Sequence, residues 1–175
     1  PRLLDMGIEP YLLSSTIRAI VAQRLARRIC PHCIEAYPAL PEVVKNIQET
    51  MSSVQNFDLV QYLTRLAAQK QNIKESENPL FKAPAPGPNG EMEVYLHRGK
   101  GCDKCRGSGY AGRIGVFEVL DVSEKISRMM METVTDKDIE KVAQEQGMLT
   151  VVQDGYLKAL EGLTTIEEVL RVSKE

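Results

Sequence analysis

The alternation of apolar and polar positions divides the chain into helical and extended stretches. Between Glu9 and Ile29, the residues Leu12, Leu13, Ile17, Ile20 and Val21 fit one helical stripe, and Pro10 suits the first turn of a helix. Further along, Gln23, Leu25, Arg27 and Ile29 alternate with Arg24 and Arg28 in a way a strand also uses. Periodicity alone leaves residues 19–28 open between the two. Pro38 and Pro41 bracket a turn, after which a helix is expected over residues 42–51. A second is expected over residues 57–69, with Leu59, Leu63 and Leu66 at helical spacing. The prolines and glycines between Asn78 and Gly90 predict an exposed, mobile loop. Residues 94–97 and 113–120 read as strands.

The tail is helical and well punctuated. Ser123 can cap a helix through Met131, and Thr135 can cap one that ends at Gly147. Residues 154–160 continue as a helix to Gly162, and Thr165-Ile166-Glu167-Glu168 is a capping box that opens the last one. Ile139, Val142 and Ala143 are expected to share a core with Leu157, Leu160 and Leu163. No internal repeat is present. The expected class is α+β, mostly α.

Four cysteines stand in two CxxC pairs, Cys30-Pro31-His32-Cys33 and Cys102-Asp103-Lys104-Cys105, and the chain has no others. Two intervening residues let both sulfurs of a pair converge on one ion, and two pairs complete a tetrahedron. That is the donor set of a structural Zn2+ site. It would join segments with 68 residues between them (positions 34 to 101). Pro31 stiffens the first knuckle, and Gly99, Gly101, Gly107 and Gly109 surround the second. His32 and His97 are expected outside the coordination sphere, because structural zinc closes at four ligands. A closed four-thiolate site has no open position for water, so it predicts structure rather than zinc catalysis. Redox pairs or disulfides are the competing reading, which two separate CxxC pairs and the lack of an export signal disfavour. Iron is the usual substitute for zinc in such a site.

Composition adds limits. Hydrophobic content of 43% and charge of 26% are those of a soluble globular protein. No apolar run approaches the ~20 residues that cross a bilayer, so membrane insertion is not expected. The chain opens on Pro1 rather than Met, which points to a fragment or a processed chain. Net charge is uneven: residues 1–117 carry 15 basic and 11 acidic side chains (+4), and residues 118–175 carry 7 and 13 (−6). The basic part can face a nucleotide, an anionic surface or an acidic neighbour, or simply water. With aromatics at 5% and no Trp, nucleic acid is not an expected partner.

No GxxxxGK[ST] phosphate loop, HExxH or Ser/His/Asp set is present, so the chain by itself is not expected to turn over a substrate. Arg24, Arg27 and Arg28 cluster within five positions, and Arg113 follows Gly112. A guanidinium grips phosphate or stacks on a base, although a solvated or acid-paired face is the more ordinary account of such a cluster.

Three long segments carry a resemblance. Residues 4–13 (LDMGIEPYLL), 21–33 (VAQRLARRICPHC) and 101–118 (GCDKCRGSGYAGRIGVFE) resemble the hexameric ATPases of type II secretion and type IV pilus assembly. So does the tail, with Gly147-Met148-Leu149-Thr150, Gln153-Asp154-Gly155 and residues 162–169 (GLTTIEEV). The resemblance implies the end of a RecA-like α/β core over residues 1–29, a four-cysteine zinc subdomain over 30–112, and a last core strand with a C-terminal helical bundle over 113–175. It resolves the ambiguity near the start into a helix over about residues 10–15 and a strand over about 18–28. It implies a cytoplasmic motor, peripheral to the inner membrane. Its partners would be the other subunits of a homohexamer and an inner-membrane platform protein, and ATP with Mg2+ would bind in the parent protein. Retraction motors of the superfamily lack the cysteine pairs, which favours assembly or secretion.

Arg113 matches the part of the family that approaches the nucleotide base, and is the nucleotide-binding candidate. The departure is residues 42–93, longer than the usual link between the cysteine pairs: either a partner surface or a tolerated loop insertion. A different class remains, a zinc-stabilised interaction module. Residues 102–109 fit one CxxCxGxG repeat of a DnaJ-type chaperone cysteine-rich region, which uses four.

Overall fold

A computed structural model describes residues 6–71, 85–86, 92–131 and 134–174. In chain order the elements are α1 (Pro10–Thr16), β1 (Ala19–Ile29), β2 (Ile34–Pro38), α2 (Pro41–Met51), α3 (Leu59–Gln71), β3 (Ala85–Pro86), β4 (Met92–Glu93) and β5 (Tyr95–Gly99). A 3-10 turn (Asp103–Cys105) follows, then β6 (Tyr110–Asp121), α4 (Glu124–Met129), α5 (Asp136–Glu145), α6 (Val151–Leu160) and α7 (Ile166–Ser173). The fold is therefore mixed, with helices and small antiparallel sheets. Most of the stretch expected as a mobile loop lies outside the described residues, and its Ala85 and Pro86 pair with Glu93 and Met92.

The ambiguous stretch is a strand. Ile17 is extended at φ −71°, ψ 125°, which ends α1. The chain then pairs antiparallel with β6, from Ala19 opposite Asp121 to Arg27 opposite Arg113, with a register shift before Ile29 meets Tyr110. Ile20 opposite Leu120 and Val21 opposite Val119 are apolar cross-strand pairs, the unit that stabilises a ladder. One isolated segment cannot disclose this partner, which is why periodicity left the choice open. A second ladder pairs β2 with β5, from Ile34 opposite Gly99 to Pro38 opposite Tyr95. β2 was not anticipated from the sequence.

The main core joins Ile47, Met51, Leu59 and Leu63 of α2 and α3 with Val94 and Leu96, and with Tyr156, Leu160 and Val169 of α6 and α7. The helical part of the stretch between the cysteine pairs is thus built into the interior, and is not an added surface loop. Polar contacts fix the same junction: Tyr156 Oη donates to Asn46 Oδ1 at 2.9 Å, and Gln153 Nε2 donates to Thr50 O at 3.0 Å. A second cluster contains Ile126, Val142, Ala143 and Met148, with Ile139 packed on it. The common core expected for α5 and α6 is therefore corrected. Their apolar faces turn to different partners, a choice that helical spacing does not encode.

Helix starts follow the caps. Ser123, Thr135 and Thr150 each accept a hydrogen bond from the amide three residues on, and the last two complete capping boxes with Asp138 and Gln153. α6 consequently begins at Val151 rather than near Asp154. At α7 Thr165 accepts from the Glu168 amide, but the Glu168 carboxylate does not return to the cap. It reaches Arg27 instead, so the expected box is only half made.

Candidate metal centre

The two ladders meet at the cysteines. Cys30 and Cys33 lie where β1 gives way to β2, and Cys102 and Cys105 where β5 gives way to β6. Each CxxC is therefore a turn between two strands, and pairing of those strands brings the turns together. Cys30 N donates to Gly109 O at 2.9 Å and Lys100 N to Cys33 O at 2.9 Å, which bonds one knuckle to the other. The approach is close enough that a Cβ on Gly99 would stand 2.1 Å from Gly109 O, and one on Gly109, itself at φ 76°, would stand 2.6 Å from Gly99 O. Only glycine fits either position.

All four Sγ atoms lie within 4.8 Å of one another. The separations are 3.9 Å for Cys30–Cys102, 3.8 Å for Cys33–Cys105 and 3.7 Å for Cys102–Cys105. A disulfide needs about 2.05 Å. Zinc–thiolate bonds of about 2.3 Å in a tetrahedron give sulfur separations of about 3.8 Å, so the donor set fits one such ion. His32 is exposed, and His97 is buried within β5. Among the described residues the four thiols are the one group able to hold a metal, and it contains neither histidine.

Backbone amides prepare the sulfurs for negative charge. Cys105 Sγ accepts from the amides of Cys102 at 3.1 Å and Gly109 at 3.3 Å. Burial pushes the Cys105 thiol up, but these amides and the thiols of Cys102 and Cys33 outweigh it and bring it down to about 6. At Cys33 burial dominates. The Gly101 amide opposes it, the neighbouring thiols add to it, and the result is pushed up to about 12. One thiolate forms readily and a second beside it resists ionisation. A divalent cation would remove that conflict.

Behind the knuckles, the edge of β1 that does not face β6 is closed by the turn into α7. Ile29 N donates to Leu163 O at 2.9 Å and Thr164 Oγ1 to Arg27 O at 2.9 Å. Glu168, 2% exposed, accepts from Arg27 N at 3.1 Å and from the Arg27 guanidinium at 2.5 Å, and Arg171 Nε adds 3.1 Å. The Arg27 bond first, then Arg171 and the Arg27 amide against the opposing effect of burial, hold the Glu168 carboxyl at about 2. The Arg27 guanidinium also lies 4.2 Å over the Tyr110 ring, whose hydroxyl is 3.2 Å from Thr165 Oγ1. Residues just before the first cysteine pair and just after the second are thus tied to the last helix. Sequence reasoning missed Glu168 in this role, because its place in a T-x-x-E pattern reads as a cap and its partner is 141 positions away.

Arg113 is exposed on β6, directly opposite Arg27. It lines an open concavity of about 670 Å³ with Arg24, Arg27 and Arg171, and Arg28 is not among the lining residues.

Comparison with known proteins covers nearly the whole chain. The family model described as type II/IV secretion system protein matches residues 1–171. The type II secretion system protein E of Xanthomonas campestris is 36% identical over 174 residues, covering 99% of this chain and 24% of that protein. The protein of the same description from Pseudomonas aeruginosa is 33% identical over 175 residues, covering 99% and 27%. The type IV pilus assembly ATPase PilB of Thermus thermophilus is 30% identical over 170 residues, covering 97% and 15%. The chain therefore spans between about one seventh and one quarter of the length of these relatives.

Proposed function

The chain belongs to the type II/IV secretion system protein family, and from that premise we propose that it is the C-terminal, zinc-containing part of a hexameric ATPase motor. The motor powers pilus or pseudopilus assembly or type II secretion. The convergence of four thiols at zinc-tetrahedral spacing, inside a family match over residues 1–171, carries the reading. In it, β1 and β6 are the end of a RecA-like core, residues 30–112 the zinc subdomain, and the tail a C-terminal helical bundle. Cys30, Cys33, Cys102 and Cys105 would hold Zn2+, which supplies a cross-link and no catalysis.

The sequence contains no GxxxxGK[ST] loop, so hydrolysis of ATP with Mg2+ belongs to the parent protein. Arg113 would stand in the nucleotide shell there. The parent works in the cytoplasm as a homohexamer, against an inner-membrane platform protein. No helix among the described residues is long and apolar enough to cross a membrane. The alternative, an interaction module of the chaperone cysteine-rich type, is disfavoured by the single four-thiol group, since that type binds two metals.

The test is Mg-ATP hydrolysis by the parent polypeptide, with this 175-residue chain as control. Turnover by the parent and none by the chain is expected. A folded, zinc-loaded parent without turnover would transfer the assignment to the interaction module. Replacing Arg113 by Ala in the parent is expected to lower nucleotide affinity, and unchanged affinity removes Arg113 from the shell.

A further inference from the structure

Toward the end of β6 remote from the cysteines, a groove of about 450 Å³ opens between β6, α5, α6 and the end of α7. Three apolar clusters meet there without merging. Leu120, Ile139 and Met148 come from the cluster around Ile126, Val151 packs on the cluster of Ala26, Val116 and Val172, and Val152 packs on the main core. A space of this size, lined by apolar groups with a few polar ones, is that of a binding cleft.

The polar groups are of one sign. Asp136 and Glu140 stand one helical turn apart on α5, with Ile139 on the same face, and Glu118 shares its strand face with Leu120 two positions on. Glu118 Oε2 accepts from Val151 N at 3.3 Å and Glu140 Oε1 from Gln144 Nε2 at 3.0 Å, both neutral donors that leave the charge in place. No lysine or arginine lines the groove, and among the described residues none of the three carboxylates forms an ion pair. Asp154 and Glu168, by contrast, are each paired with a cation.

Three like charges around an apolar-lined space repel one another and attract a cation, while a phosphate-bearing partner is turned away. The apolar lining adds a demand for hydrocarbon, which a bare metal ion does not meet. The run of arginines in this chain, Arg24 to Arg28, is held in the ladder of β1 with β6, so a second copy does not offer a free cationic segment.

We propose that the groove docks a peptide segment of a separate protein, one in which apolar side chains are flanked by lysine or arginine. The stems of such cations lie on apolar lining while their charged ends reach carboxylates. The proposal goes beyond the motor reading and is independent of the assignment of Arg113.

The probe is a short fluorescein-labelled peptide of leucine, alanine and lysine with its leucines at helical spacing, titrated against the zinc-loaded chain by fluorescence anisotropy. Saturable binding that weakens with added salt is expected. Asp136→Asn and Glu140→Gln change exposed side chains and are each expected to weaken it about threefold, and together about tenfold, as exposed charge pairs do. Glu42→Gln, exposed on α2 and outside the groove, removes the same charge and is expected to leave affinity unchanged. Exchanging the leucines of the peptide for alanine is expected to weaken binding by about tenfold or more.

Absence of saturable binding overturns the proposal. Equal weakening by Glu42→Gln, or equal binding of the leucine-free peptide, also overturns it, because the peptide then reads net charge alone. Self-association of the chain in sedimentation velocity that Glu140→Gln abolishes overturns it as well, and gives the groove to a second copy.

Discussion

Replacing Glu168 by Gln tests whether the last helix is clamped to β1 through one buried carboxylate. The group is 2% exposed and accepts from the Arg27 amide, the Arg27 guanidinium and Arg171. A carboxyl lowered from 4.5 to about 2 gains about 3 kcal/mol from its folded surroundings. Arg27 and Arg171 are 50% and 46% exposed and can rehydrate in the variant, which lowers the expected loss to about 2 kcal/mol. For a chain of this length that is a fall in melting temperature of about 4–8 °C.

The pH dependence carries its own sign. The folded-state value is depressed, so the stabilisation is fully present above the unfolded value of 4.5 and is lost as pH falls toward about 2. Urea unfolding of both proteins between pH 7 and pH 3 measures it. Proton competition at the thiolates acts on both alike, so the difference between them is the quantity read. A constant gap from pH 7 to pH 5 that narrows below about pH 4.5 is expected. A variant within about 0.5 kcal/mol of the parent sequence at pH 7, or a gap that widens on acidification, would refute the clamp.

Other consequences are as direct. Cys105→Ser removes one of four donors and is expected to weaken zinc binding by more than about a hundredfold, read by competition with a chromophoric chelator. Gly99→Ala forces a methyl to 2.1 Å from Gly109 O, so it is expected to separate the knuckles and lower both zinc affinity and melting temperature. Ile47→Ala, at a fully buried position in the main core, is expected to cost about 3 kcal/mol in urea unfolding while zinc stoichiometry stays at one. A cost below about 1 kcal/mol would mean that α2 is the added surface loop after all.

The site was more legible in the sequence than the core around it. CxxC spacing is a local signal with a fixed chemical meaning, and the ladders placed all four thiols as that signal requires. The strand at 113–120 and the caps at Ser123 and Thr135 are local too, and each stands where expected. β2 escaped notice because five residues ending in Pro38 carry little periodicity, and only its pairing with β5 defines it. The capping box at Thr150 was readable from Gln153 three positions on and was passed over. Non-local facts were out of reach: helical spacing showed that α5 and α6 each have an apolar face, but not that α6 joins α2 while α5 joins α4. The partnership of Glu168 with Arg27 belongs to the same class.

X-ray absorption at the zinc edge of the purified chain bears most directly on the central claim, that one zinc joins the two ladders through four thiolates. One zinc per chain with four sulfur neighbours near 2.3 Å is the expected spectrum. Nitrogen or oxygen neighbours in place of sulfur, or a metal-free protein with its cysteines paired as disulfides, would contradict it.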